Sequence, residues 1–387
     1  MKKKVLFVIG SAHAGGTITS LLNLLSLLDD EKIEAHLFLQ THTGVLLSRT
    51  QEHNLLPEDP TIAAVLRSKS ELRGKGLRAY LTRASFVLRH RLFGVKKAYA
   101  HFYKKSAKKL SGKYDAVVAY QEGAIADYAR YIKTPKHVAW CHMDYDAVCV
   151  AGNNSRDDWK QIYGKFEYIA CVSDVVRNSI IENLQYPEDK ISVVYNTIPP
   201  EYIKSRAVGG DNIERRAITL VSSGRYVQRK RFDRFVLAAE TLKAREIDFI
   251  WYLLGDGELY AEISDMIKQK DVGNQLIQVG AIENPFVYYN ASDVFVMASE
   301  SEGQPMVLNE ALTLGVPVIT TEFPSAREVV RDGVYGMIVP NSDEGLADGV
   351  LRFAQDSEFR EKLNRDVRDF RYGNDEILES IYKILDV

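Results

Sequence analysis

The chain has 387 residues, 46% of them apolar and 26% charged, with a formal net charge of −2. That is the balance of a water-soluble globular protein, and the length excludes a single ordinary core and predicts two or three domains. Cys141, Cys149 and Cys171 are odd in number and lack a Cys-x-x-Cys spacing, which argues against a disulfide framework or a structural zinc and fits a reducing cytoplasm. No run approaches the roughly 20 apolar residues of a membrane span.

Val5 to Ile9 forms a short apolar run after Met1 and three lysines. It is too short for the apolar core of a signal peptide and ends in a Gly-rich turn, so it reads as a first strand. The turn carries Gly15 and Gly16 and enters a segment with Ile18, Leu21, Leu22, Leu25 and Leu28 at helical spacing. Strand, Gly-rich turn and helix open a doubly wound α/β domain, and the two glycines allow close backbone approach to a phosphate or sugar. They also serve a plain turn. The full Gly-x-Gly-x-x-Gly fingerprint is missing, which argues against a nicotinamide enzyme. Leu37 to Leu39 predicts the next strand.

A basic helical segment over 61–113 follows. From Arg67 to Lys113 its only carboxylate is Glu71, and its bases alternate with Leu81, Phe86, Val87, Leu88, Leu92, Phe93, Tyr99 and Phe102. An interfacial helix needs this interleaving, because one face enters lipid while the other meets anionic head groups. The same pattern suits a solvated basic face around an ordinary core. No nucleic-acid motif accompanies the charge, so nucleic acid is not an expected partner.

Short apolar runs resume at Ala116 to Ala119, His137 to Trp140, Tyr168 to Val172 and Ile191 to Val194. The loops after such strands line the edge where open α/β sheets bind ligands. His142 falls there, a position suited to a hydrogen bond or proton transfer and equally to a structural role. Asp144 and Asp146 form an Asp-x-Asp pair with metal-ligand potential, although nothing nearby completes a site. Residues 1–200 thus read as one domain, 201–216 as a polar linker, and 217–370 as a second α/β domain. Residues 371–387, with Ile377, Leu378, Ile381 and Leu385 at helical spacing, read as a terminal helix. In the second domain strands are expected at Ile218 to Ser222, Phe249 to Leu254, Leu276 to Val279, Val294 to Met297, Val316 to Thr320 and Gly336 to Val339. Two such halves predict a cleft between them.

Three motifs follow strands of this second half. Arg225 and Lys230, with Arg229 and Arg231 nearby, place positive charge at a strand's C-terminal edge, where Arg grips a phosphate in two places and Lys adds a point charge. Gly255, Asp256 and Gly257 form a tight turn. The loop Ser299 to Pro305 then holds Glu302, Gly303, Gln304 and Pro305 before a helix that starts near Met306 and carries Glu310. A helix start can receive an anion, and a carboxylate binds paired sugar hydroxyls through its two acceptor oxygens. The competing reading makes Glu302 a helix cap and Glu310 a solvated surface charge.

In this combination the chain resembles the retaining GT-B glycosyltransferases of family 4. The match lies in Arg225 and Lys230 five residues apart, Gly255, and Glu302 followed by Glu310; Gly15, Gly16, His142 and Ser173 are similar to the family's N-terminal landmarks. Tyr195 and Thr197 depart from the residues that usually flank the family's Asn, so Asn196 is left out of the site. The resemblance implies a GT-B fold, two Rossmann-like doubly wound domains facing across a cleft, with an acceptor-binding first domain and the terminal helix returning to it. It implies that Arg225 and Lys230 hold the diphosphate of a nucleotide sugar, most simply a UDP-sugar, and that Glu310 holds the ribose. Glu302 with Gly303, Gln304, Pro305 and Met306 would contact the donor sugar, and His142 would lie near the reacting sugar. It also implies retaining, metal-independent transfer to a saccharide, glycolipid or other hydroxyl acceptor, in cell-surface polysaccharide or glycolipid synthesis. No cofactor is expected beyond this co-substrate, and the expected location is cytoplasmic, peripheral at the inner face of the membrane. Three competitors stand beside this reading: a metal-dependent transferase using Asp144 and Asp146, a nucleotide-sugar epimerase, and a non-catalytic carbohydrate-binding protein of the membrane surface.

Overall fold

Strands buried on both faces need apolar side chains at every position, which is why parallel sheets appear in sequence as unbroken apolar runs. The computed structural model describes residues 2–13, 15–145, 155–210 and 212–387. It contains two six-stranded parallel sheets. The first holds β1 (Lys3–Ile9), β2 (Ile33–Leu39), β3 (Ala116–Ala119), β4 (Lys136–Cys141), β5 (Tyr168–Cys171) and β6 (Ile191–Val193), in the order β2-β1-β3-β4-β5-β6. The second holds β7 (Ile218–Ser223), β8 (Phe249–Leu254), β9 (Leu276–Gly280), β10 (Val294–Met297), β11 (Val318–Thr321) and β12 (Gly336–Val339), in the order β12-β11-β10-β7-β8-β9. Every residue of β8 is buried. Each sheet starts at an inner strand, runs outward on one side, and then returns to build the other side. The loops after β1 and β3, and after β7 and β10, therefore diverge at a topological switch point, where open α/β sheets leave a crevice.

The chain divides into two units, residues Met1–Thr197 with Asn374–Val387, and residues Ile198–Gly373. The segment 201–216 is more than a linker. It begins in a helix, Pro200–Arg206, that buries Ile203 beside Ile198 and Met306 in the second unit, because Pro200 sits where proline favours a helix start. At the other end, the helix Asn374–Ile384 belongs to the first unit. There the Tyr382 hydroxyl accepts from the Asp29 amide at 2.8 Å, and Lys136 pairs with Asp386 at 2.6 Å.

The basic segment is three helices, Pro60–Leu66, Leu77–Phe93 and Val95–Ala107. The last two are separated by Gly94 at φ +83°, a conformation that other residues adopt only under strain. Its apolar residues divide into two sets. Phe86 and Phe102 are buried, and Phe86 packs on Tyr99 and Phe102 with ring centroids 4.9 and 5.9 Å apart. These aromatics join the two helices and so are not a lipid face. Leu77, Leu81, Leu88 and Leu92, spaced by four, seven and four residues along one side of the middle helix, are 58–74% exposed. Among the described residues no helix is long and apolar enough to cross a membrane.

Candidate active site

In the second unit, the loop after β7 carries Gly224, Arg225 and Lys230, and the loop after β8 lies directly against it. The Tyr226 amide donates to the Asp256 carbonyl at 3.0 Å, and the Gly224 amide to the Leu254 carbonyl at 3.0 Å. Gly255 sits at φ +123°, and a Cβ there would stand 1.9 Å from the Gly224 carbonyl oxygen. Its role is thus to let the two backbones meet and fix the segment that presents Arg225. Arg225 is exposed, and among the described residues its side chain makes no ion pair or hydrogen bond. Arg231 differs, since Asp233, Glu300 and Asp343 hold it within 3.1 Å. It ties the loops after β7 and β10 together and is no open anion ligand.

The loop after β10 brings Glu302 to Lys230, with Nζ–Oε1 at 2.6 Å, and Arg229 Nη1 lies 3.6 Å from Oε2. The Lys230 contact is a close ion pair. Burial would raise the Glu302 pKa, but Lys230 and then Arg229 outweigh it and hold the carboxyl below its ordinary value. Glu302 is therefore a buried anion matched to cations six and seven residues into the β7 loop. The Ser325 hydroxyl donates to the Glu302 carbonyl at 2.9 Å and fixes the backbone.

Glu302 does not cap the helix Met306–Thr313, which has no side-chain cap and begins after Pro305. Glu310 on that helix is 6% exposed, so it is not a solvated charge. It lies beside the Tyr289 hydroxyl. Burial foremost, and then the Glu310 charge, push that hydroxyl's pKa well above its usual value, while a bond to Ser223 at the end of β7 opposes them. Gln304 donates to the Tyr372 hydroxyl at 3.1 Å. Thus Arg225, Lys230, Gly255, Glu302, Gly303, Gln304, Pro305, Met306 and Glu310 all stand on the loops and helix at the C-terminal edge of β7, β8 and β10. Tyr289 was not legible in sequence, because a tyrosine on a short helix, Phe286–Asn290, reads as core.

The first unit places His142 just after β4. It is buried, and Glu122 Oε1 accepts from the amides of His142 at 3.0 Å and Met143 at 2.6 Å. The ring bonds the Tyr120 carbonyl, and among the described residues Nε2 has no partner. Burial lowers its pKa to about 3 against that bond, so the imidazole is neutral at physiological pH. A neutral ring with a free Nε2 accepts a hydroxyl proton in a hydrogen bond. Glu122 follows β3 as His142 follows β4, and that shared placement was the one signal by which it could have been found. Tyr120 completes the group: its ring is 5.1 Å from that of His142, and its hydroxyl bonds Ser20, which in turn donates to Asn196. Gly15 precedes the helix Gly16–Leu27, and among the described residues no atom within 4 Å would meet a Cβ on Gly16. Ser173 caps its own helix through the Val176 amide. Asp144 is described, whereas Asp146 and Cys149 lie outside the described residues. Among the described residues no three His, Cys, Asp or Glu side chains gather as a metal site.

The family model "Glycosyltransferase Family 4" matches residues 14–202, and "Glycosyl transferases group 1" matches residues 210–370. The chain belongs to the GT-B glycosyltransferases. An uncharacterized glycosyltransferase of Methanocaldococcus jannaschii is 24% identical over 65% of this chain and 68% of its own. A Campylobacter jejuni N-acetylgalactosaminyltransferase acting on a diphospho-undecaprenol-linked saccharide is 26% identical over 51% of this chain and 54% of its own. The chain thus spans about half to two thirds of these relatives. Among solved structures, Anabaena Alr3699/HepE in complex with UDP and glucose superposes with a TM-score of 0.73 at 15% identity, covering 99% of both chains. A Rickettsia africae glycosyltransferase gives 0.71 at 17% identity, over 100% of this chain and 98% of its own. Two Rossmann-like domains, one per sheet, are the fold of this GT-B glycosyltransferase.

Proposed function

We propose that this GT-B glycosyltransferase moves a sugar from a UDP-sugar to a hydroxyl of a saccharide or glycolipid, with retained configuration and without a metal. The reading rests on the exposed Arg225 and the Lys230–Glu302 pair, set at a switch-point crevice beside the start of the helix Met306–Thr313. The UDP held by the Anabaena protein and the lipid-linked substrate named for the Campylobacter relative support the donor and acceptor classes.

In this mechanism the bond from the anomeric carbon to the diphosphate oxygen breaks as a bond to the acceptor oxygen forms on the same face. The acceptor's proton passes to the leaving phosphate. Negative charge grows on that phosphate, and Arg225, Lys230 and the helix amides stabilise it more in the transition state than in the ground state. Glu302 orients Lys230 and contacts the donor sugar, Glu310 takes the ribose hydroxyls, and His142 Nε2 accepts from a sugar hydroxyl. The space at Gly16, open among the described residues, suits close approach of the ligand to the helix start.

The test is turnover of a nucleotide-sugar panel with the anomer of the product read by NMR, with and without chelator. UDP-sugar use, retention and chelator insensitivity are expected. Release of an altered nucleotide sugar without an acceptor would establish an epimerase. Loss of transfer with chelator, restored by metal, would return the role to Asp144.

The leucines of the middle basic helix, flanked by Arg78, Arg89 and Arg91, support docking at an anionic membrane at the cytoplasmic face. Salt-sensitive binding to anionic vesicles, weakened by Leu81→Glu and Leu88→Glu, is the expected result. Equal binding to neutral vesicles would rule this out.

A further inference from the structure

The loop that carries Glu302 is held from two sides. On one side the Thr321 hydroxyl donates to the Ser299 carbonyl at 2.8 Å, and the Glu300 amide donates to the Arg229 carbonyl at 2.9 Å. Arg229 Nη1 donates to the Ser301 carbonyl at 3.2 Å, and the Ser325 hydroxyl holds the Glu302 carbonyl. Residues 299–302 are thus fixed one after another to the β7 loop and to the chain at and beyond the end of β11. Gly303 then separates them from Gln304, Pro305 and Met306, and glycine restrains a backbone less than any other residue. Bonds to residues 299–302 therefore do not by themselves place Gln304.

The second hold comes from the opposite end of the unit. Gln304 Nε2 donates to the Tyr372 hydroxyl at 3.1 Å, and Tyr372 stands one residue before the second unit ends at Gly373. Its ring packs against the buried cluster of Ile198, Ile203 and Met306. It also lies 6.4 Å from the ring of Phe370, which meets Tyr335 edge-on at 5.3 Å. A ring seated in this way presents its hydroxyl from a fixed place. Ile198, where the chain enters the unit, and Tyr372, where it leaves, both pack at Met306, the first residue of the helix Met306–Thr313. That helix has no side-chain cap, so the residues just before it decide where its first amides point.

We propose that Tyr372 is a positioning residue for the donor: through Gln304 its hydroxyl fixes residues 304–306 against the donor sugar and the leaving phosphate. The nucleotide itself is held apart from this segment, by Arg225, Lys230 and Glu310. The assignment rests on the glycosyl-transfer reading for the word donor, while the hold on the segment stands on the contacts of Tyr372 alone.

Tyr372→Phe in the full chain keeps the ring and removes the hydroxyl. Hydrogen–deuterium exchange over residues 303–308 should rise about tenfold in this variant and stay unchanged over 224–231. UDP affinity should stay within about twofold, whereas kcat with the accepted UDP-sugar should fall about tenfold, because misplacement at a reacting centre costs rate more than binding. Gln304→Leu should lower kcat at least as much, and adding Tyr372→Phe to it should cost nothing further, as expected of two residues that act through one bond. A residue that only stabilised the fold would lower Tm and leave kcat of the folded protein unmoved. Unchanged exchange over 303–308, a kcat equal to wild type, or additive losses in the double variant overturns the proposal. Raised exchange in Tyr372→Phe of a protein that turns over no nucleotide sugar would sustain the hold on this segment and remove the donor reading instead.

Discussion

Gly255→Ala separates backbone strain from loop displacement at the donor site. The new Cβ meets the Gly224 carbonyl oxygen at 1.9 Å, and ordinary contact begins at 3.4 Å, so the two loops must part by about 1.5 Å. Both contacting groups are backbone, so no rotamer relieves the clash. The positive φ adds about 1–3 kcal/mol of strain, which in a unit of this size lowers Tm by about 2–12 °C. Gly333→Ala is the control. It has φ +73° and open space around it, so it carries the strain without the clash. Because Arg225 directly follows Gly224, a shift of this size at the proposed phosphate ligand should reduce kcat/KM on the order of 10²-fold. Calorimetry and titration with UDP then distinguish the two variants. Both lose stability, but only Gly255→Ala loses nucleotide affinity, by about tenfold or more. Equal UDP affinity in the two variants, with Gly255→Ala folded, would refute the argument that Gly255 positions Arg225.

The remaining predictions concern single groups. Glu310→Ala should mainly raise the Kd for nucleotide, whereas Glu302→Ala should mainly lower turnover; identical defects would break the separate roles. Burial foremost raises the Glu122 carboxyl from its ordinary 4.5 to about 7 against its two amide bonds. Its contribution to stability is therefore fully present below about pH 4.5 and is lost as pH rises to about 7, a change on the order of 3 kcal/mol. Relative to Glu122→Gln, which can keep both amide bonds, the wild-type Tm should fall across that window. Parallel Tm curves would show that the carboxyl does not titrate there. Arg234, buried and held by Asn341 and Asp343, should cost about 3–5 kcal/mol on Arg234→Ala, because the change breaks a buried network from one side. Urea unfolding of the second unit measures it, and a loss under 1 kcal/mol would contradict the network's role.

All twelve described strands were legible at least in part, because most are apolar runs between turns and a doubly buried parallel strand admits little else, but of β2 only Leu37 to Leu39 was legible, since Glu34 and His36 interrupt its first half. Val316 to Thr320 was placed two residues early only because Val316 and Pro317 precede β11 with the same apolar character. Arg225, Lys230, Glu302 and Glu310 were legible as a spaced set, since each follows a strand or lies on the next helix. What each one touches was decided by tertiary structure. The bases of the β7 loop look alike in sequence, yet Arg231 is held by three carboxylates, Lys230 by one, and Arg225 stands open. In the basic segment, likewise, Phe86 and Phe102 close a helix pair while Leu81 and Leu88 face solvent. Strand order also needed the folded chain: β10 returns beside β7 rather than β9, and that long-range pairing brings Glu302 to Lys230. Local spacing determines which residues become strand or helix, because that depends on neighbours along the chain. Which charges meet depends on contacts about 70 residues apart, and no local pattern carries that information.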